Sequence, residues 1–167
     1  MSTNIIVSEK ELFIKMVMSN WNLQVSRMNG VLAKLSDEEL SAPTAPERNT
    51  GVYLLGHLAA VSDGMFTILG IGKRLNPAMD ELFLHNPEES GLEKPSIAEL
   101  KEYWNKVNEL LSEKINQIAP EEWFTRHTAV TEEDFAKEPH RNKLNIVINR
   151  TNHLSYHLGQ LVYLLKK

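Results

Sequence analysis

A chain of 167 residues, 42% hydrophobic and 24% charged, is large enough to bury one core and too apolar to remain disordered. Its 18 Lys and Arg are scattered among 22 Asp and Glu, so no basic stripe forms and nucleic acid is not an expected partner. Cysteine is absent, which excludes disulfides, thiolate ligands and a cysteine nucleophile together and restricts any metal site to nitrogen and oxygen donors.

Met1 to Lys10 has no apolar core of signal-peptide length, and no run of about 18 consecutive apolar residues occurs, so a cytoplasmic protein without a membrane span is expected. Phe13, Val17, Trp21, Val25, Met28, Leu32 and Leu35 recur at three- and four-residue steps and predict a first helix from about Ser8 to Leu35. Ser36 with Glu39 three residues on reads as a capping box for a short turn, which Pro43 and Pro46 terminate. Asn49 and Thr50 can cap a second helix with Leu54, Leu58, Val61, Met65 and Leu69 on its core face, ending near Gly70 and Gly72.

Residues 73–95 carry Pro77, Pro87 and Gly91 with little periodicity and predict a long connection, a crossover that lets consecutive helices run parallel. A second capping box, Ser96 with Glu99, opens a third helix marked by Ile97, Leu100, Trp104, Val107, Leu111, Ile115 and Ile118 and closed by Pro120. Residues 121–141 form another long connection. The last helix is expected from about Asn142 to Leu165. Strict alternation and hairpin turns are missing, so the expected class is all-α, a single four-helix-bundle domain over 1–167.

At about 100° per residue, Leu144, Val147, Leu154, Leu158, Leu161 and Leu165 share one arc of the last helix. Along the edge of that arc runs the column Arg150, His153, His157, Gln160, bounded by Ile146 and Leu164, with four polar residues where leucines would be ordinary. His57, next to the small Gly56, lies at the edge of the second helix's arc in the same way. An i, i+4 histidine pair presents two rings one turn apart, the separation needed to share an ion, and a histidine from another helix completes three nitrogen ligands. Three protein ligands leave an exchangeable position, as in catalytic zinc sites. The predicted metal ligands are therefore His57, His153 and His157, for one divalent ion, with zinc or nickel best suited to all-imidazole ligation. Arg150 and Gln160 are the predicted substrate-binding residues.

Each signal has a plainer reading. A lone histidine on a helix is more often half-buried and hydrogen-bonded than a ligand, the HxxxH spacing is common by accident, and Arg150 and Gln160 can be solvated positions. His85, His127 and His140 fall in predicted connections, where an exposed histidine without a role is the default. Leu154 stands where a zinc protease HExxH places its glutamate, and no histidine has a glutamate three residues before it as in di-iron bundles. Gly70-Ile71-Gly72 lacks the third glycine of a dinucleotide fingerprint, and GxSxG and P-loop patterns are absent.

The segment Asn152-His153-Leu154-Ser155-Tyr156-His157-Leu158-Gly159-Gln160 resembles the carboxyl-terminal HxxxHxGQ signature of the DinB-like superfamily of metalloenzymes, and Leu54-Leu55-Gly56-His57-Leu58 resembles its other histidine segment. The resemblance implies an up-down-down-up bundle, a metal held by the three matched histidines, and a homodimer. Some relatives are transferases or isomerases that use a low-molecular-weight thiol and many have no assigned activity, so a small-molecule substrate is expected, a low-molecular-weight thiol being one candidate, but the choice of substrate does not carry over to this chain. The residues themselves leave two classes open. One is a metal-dependent thiol transferase, with a hydrolase as its close variant, in which Arg150 pairs with a substrate carboxylate and Gln160 orients a ligand. The other is a catalytically silent metal-binding stress or interaction protein.

Overall fold

The computed structural model describes residues 8–166. Ser8 accepts from the Glu11 amide and Glu11 reaches back to the Ser8 amide at 2.9 Å, a capping box that opens helix α1, Glu9–Leu32. The helix ends three residues before the expected Leu35, which is nonetheless buried in the turn that follows. Its inward residues are Trp21, Gln24, Met28 and Leu32. Phe13, expected on the core stripe, is instead 46% exposed. Periodicity identifies a face of a helix, but only the stretch lying against a neighbour is covered.

The Ser36–Glu39 box opens the short α2, Asp37–Leu40, as expected. Thr50 caps α3, Gly51–Ile68, by accepting from the Tyr53 amide at 3.2 Å, and left-handed Gly70 follows its end. Gly51 lets α2 approach this start closely: a Cβ there would lie 2.8 Å from the Leu40 carbonyl oxygen. By length and hydropathy α3 would suit a membrane, yet 67% of it is buried inside the fold, which accounts for its apolarity.

The connection over 73–95 has more structure than its sequence suggests. It contains α4, Met79–Phe83, which packs on α3, and a 3-10 turn, Glu88–Ser90, whose Glu88 carboxylate accepts from the Thr50 amide at the start of α3. Helix α5, Ile97–Ile115, opens on the Ser96–Glu99 box and buries Leu100, Trp104, Val107, Leu111 and Ile115, the expected stripe. The second connection holds a 3-10 turn, Glu122–Phe124, and α6, Glu132–Lys137, short elements whose stripes are too brief to read as periodicity. His127, expected to be exposed there, is buried and accepts from the Ala129 amide at 3.2 Å. Asn142 caps α7, Lys143–Val162.

The described residues form seven α-helices and no strand, only two isolated bridges, so the class is all-α. Four helices are long. Helix α3 packs chiefly on α5 and α1 on α7, while Trp104 Nε1 of α5 donates to Asn29 Oδ1 of α1 at 2.7 Å. Helix α3 also meets α7, and that contact brings the predicted histidines together.

Candidate metal centre

On α7 the four-residue step from His153 to His157 stacks two rings one turn apart, and α3 presents His57 opposite them. His153 Nε2 lies 3.1 Å from both His57 Nε2 and His157 Nε2, and the three donor nitrogens all fall within 4.8 Å of one another. Each histidine is half-buried at the edge of the core.

The outer ring nitrogens determine what the inner ones can do. His57 Nδ1 lies 3.0 Å from the Phe83 carbonyl oxygen, an acceptor, so it must donate and Nε2 carries the lone pair. His157 Nδ1 donates in the same way to Gln160 Oε1 at 2.6 Å, which leaves its Nε2 basic. Basic nitrogens 3.1 Å from a third imidazole nitrogen repel unless a cation or proton lies among them. Two ligands each about 2.0–2.1 Å from a tetrahedral ion sit about 3.3 Å apart, close to the spacing here. Fixing the far nitrogen with a carbonyl or amide oxygen is also how metal-bound histidines are usually oriented. The residues therefore fit one divalent ion held by three imidazoles.

Burial strengthens this fit. His153 is pushed down to about 4, mainly by desolvation and then by the neighbouring His157 and His57 rings and Arg150, so its imidazole is neutral at physiological pH, the form that can ligate. His157 is lowered by burial against the opposing pull of Gln160. His153 Nδ1 has no protein partner.

Gln160, expected to bind substrate, lies beside the histidine cluster, where its side-chain oxygen orients the His157 ring. Arg150 lies one turn before His153. Its Nε is buried without a protein partner, and burial alone lowers its pKa. Among the described residues no carboxylate pairs with it. His85 and His140 are exposed and, with His127, lie outside the cluster.

Three features of the site escape sequence reasoning. The first is the Phe83 carbonyl, a backbone group 26 residues from His57. The second is the reason for Gly56: a Cβ there would fall 2.3 Å from the Phe83 ring. The third is a cleft of about 250 Å³ lined by Thr44, Glu47, Arg48, Asn49, Leu54, Tyr156, His157 and Gln160. Its outer wall is a loop closed by the Thr44 amide donating to the Asn49 carbonyl at 3.1 Å, with Glu47 at φ 59°, the one non-glycine in the left-handed region among the described residues. That conformation costs about 1–2 kcal/mol.

The family model that matches residues 21–161 is described as the DinB superfamily, and the match spans both histidine segments. No curated protein matches the chain.

Proposed function

The chain belongs to the DinB superfamily, and from that premise and the geometry of its histidines we propose that it is a metal-dependent transferase acting on a low-molecular-weight thiol. One observation carries the reading: three imidazole nitrogens converge, two of them oriented from behind, next to a cleft that opens on His157 and Gln160. His57, His153 and His157 hold the ion, zinc or nickel by the chemistry of the donor set. A divalent ion with an exchangeable position supplies Lewis acidity and lowers the pKa of a thiol that reaches it.

The protein's own residues do the rest. Gln160 keeps His157 in the ligating tautomer. Arg150, charged, desolvated and without a carboxylate partner, receives an anionic group of the substrate. The cleft admits the substrate between α7 and the 44–49 loop, with Tyr156, 65% exposed, on its rim. In this reading the chain is one domain whose four long helices form an up-down-down-up bundle, cytoplasmic and homodimeric.

The test uses cobalt-loaded protein titrated with cysteine, N-acetylcysteine and 2-mercaptoethanol. Thiolate-to-cobalt charge-transfer absorption with each thiol, and tighter binding of the carboxylate-bearing ones, is expected. Arg150→Ala should leave metal content intact and weaken N-acetylcysteine by about 1.5–3 kcal/mol, the range for a hydrogen bond to a charged group, with Arg150→Lys recovering part. No thiolate band with any thiol in a fully loaded protein would retire the transferase in favour of a silent metal-binding protein. Equal N-acetylcysteine affinity in wild type and Arg150→Ala would retire the anchor.

A further inference from the structure

His157 is oriented by a side chain three residues away on its own helix, but nothing on α3 orients His57. The group that does so, the Phe83 carbonyl, ends a five-residue helix inside the 73–95 connection. A helix that short has no stability of its own. Something else must hold its last carbonyl at 3.0 Å from His57 Nδ1.

Two sets of contacts do so. At one end, Asp63 of α3 is wholly buried and accepts from the Leu75 amide at 2.7 Å, the Asn76 amide at 3.1 Å and the Tyr103 hydroxyl at 2.8 Å. Arg74 Nε reaches the same carboxylate at 3.4 Å, and both Nη atoms of Arg74 grip the carboxylate of Asp80, inside α4. The main-chain carbonyl of Asp80 then accepts from the Leu84 and His85 amides at 2.9 Å, closing the turn around Phe83. At the other end, the fully buried Phe83 ring fills the space left by the missing side chain of Gly56, the residue beside His57.

We propose that the α4 segment is a positioning element of the metal site: the Asp63–Arg74–Asp80 ion network and the Phe83 ring against Gly56 hold the Phe83 carbonyl on His57 and so set its affinity for the ion. The proposal rests on the metal reading above. Asp80 and Gly56 are positioning residues in it, since neither touches the ion. Arg74 is 14% exposed at its side chain, so loss of the Asp80 charge leaves a largely buried cation short of its main partner and loosens the turn. Outer partners of metal-bound histidines typically change metal affinity 10- to 100-fold when removed. Binding linkage is reciprocal, so zinc must in turn steady the α4 turn.

Zinc affinity is measured by competition with a chromophoric chelator, well below the melting temperature, for wild type, Asp80→Asn, Gly56→Ala and Asn29→Ala. The last variant breaks the Trp104–Asn29 bond elsewhere in the fold and controls for general destabilisation. The expected result is a loss of about 10- to 100-fold for Asp80→Asn and Gly56→Ala, with Asn29→Ala binding like wild type. Hydrogen exchange of the wild-type Leu84 and His85 amides should slow when zinc is added, an arm that needs no variant to fold. Wild-type affinity in folded Asp80→Asn, or exchange at Leu84 and His85 indifferent to zinc, overturns the proposal while zinc binding by the wild type leaves the metal reading standing. A wild type that binds no zinc overturns the metal reading and this inference with it.

Discussion

The two helices that meet at the histidines solve the same problem by different means. Helix α7 is self-contained: the step from His153 to His157 aligns two rings, and Gln160, three residues further on, orients the second of them. Helix α3 contributes one histidine and takes its orienting oxygen from a connection 26 residues downstream. The first arrangement forms whenever α7 is helical. The second requires the Asp63–Arg74–Asp80 contacts and the packing of Phe83 on Gly56 to be in place, so assembly of the site reports on tertiary structure through α3 and on local structure through α7.

The comparison breaks most completely if a ligand is removed. Replacing His57, His153 or His157 by alanine should reduce zinc affinity by more than about 100-fold, beyond the range of outer-partner changes. Alanine at His85, His127 or His140 should leave it unchanged. Elemental analysis after dialysis against a weak chelator separates these outcomes, and full occupancy of His153→Ala would show that the cluster is not the site.

A smaller effect isolates the local device on α7. Gln160→Ala removes the acceptor from His157 and should cost about 10- to 100-fold in zinc affinity. Because that contact lies within one helix, the hydrogen exchange of Leu84 and His85 should be unaltered in the metal-free variant. A changed α4 turn in Gln160→Ala would mean that the two arrangements are not independent.

A third effect is on the metal-free fold, read as stability and not as zinc affinity. His153 has its pKa pushed down to about 4 in the folded protein, chiefly by burial, against about 6.5 for an unperturbed histidine. The unfolded chain therefore binds the extra proton between those values. His153 contributes no penalty above about pH 6.5, stability falls as pH drops towards about 4, and below that its contribution no longer changes. Urea unfolding midpoints of the metal-free protein from pH 7.5 to 3.5 should follow this course, and His153→Asn should flatten it. Zinc should resist the fall at first and then be lost, since protonated imidazole cannot ligate. An unfolding midpoint independent of pH in the wild type would remove the burial argument for His153.

The same contrast explains what could be read from the chain before folding. The long helices, the capping boxes at Ser36 and Ser96 and the buried stripe from Leu100 to Ile115 follow from spacing within one segment, and so does the polar column on α7. Helices α4 and α6 were not legible because five or six residues carry too little periodicity, and their stability comes from partners far away in sequence. The spacing of Phe13 identifies its face of the helix but not how much of that face is covered, and it stays exposed beside Phe124 and Ile148. The orienting oxygen of His57 belongs to the backbone, which has no residue-type signature at all. Gly56 was visible as a small neighbour of His57, but the ring of Phe83 that requires it was not.

The most direct test of the account is the X-ray absorption fine structure of protein loaded with one equivalent of zinc. The account predicts three imidazole nitrogens at about 2.0–2.1 Å and one further light atom, with imidazole scattering reduced in His153→Ala. A shell without histidine scattering, or one unchanged by His153→Ala, would contradict it.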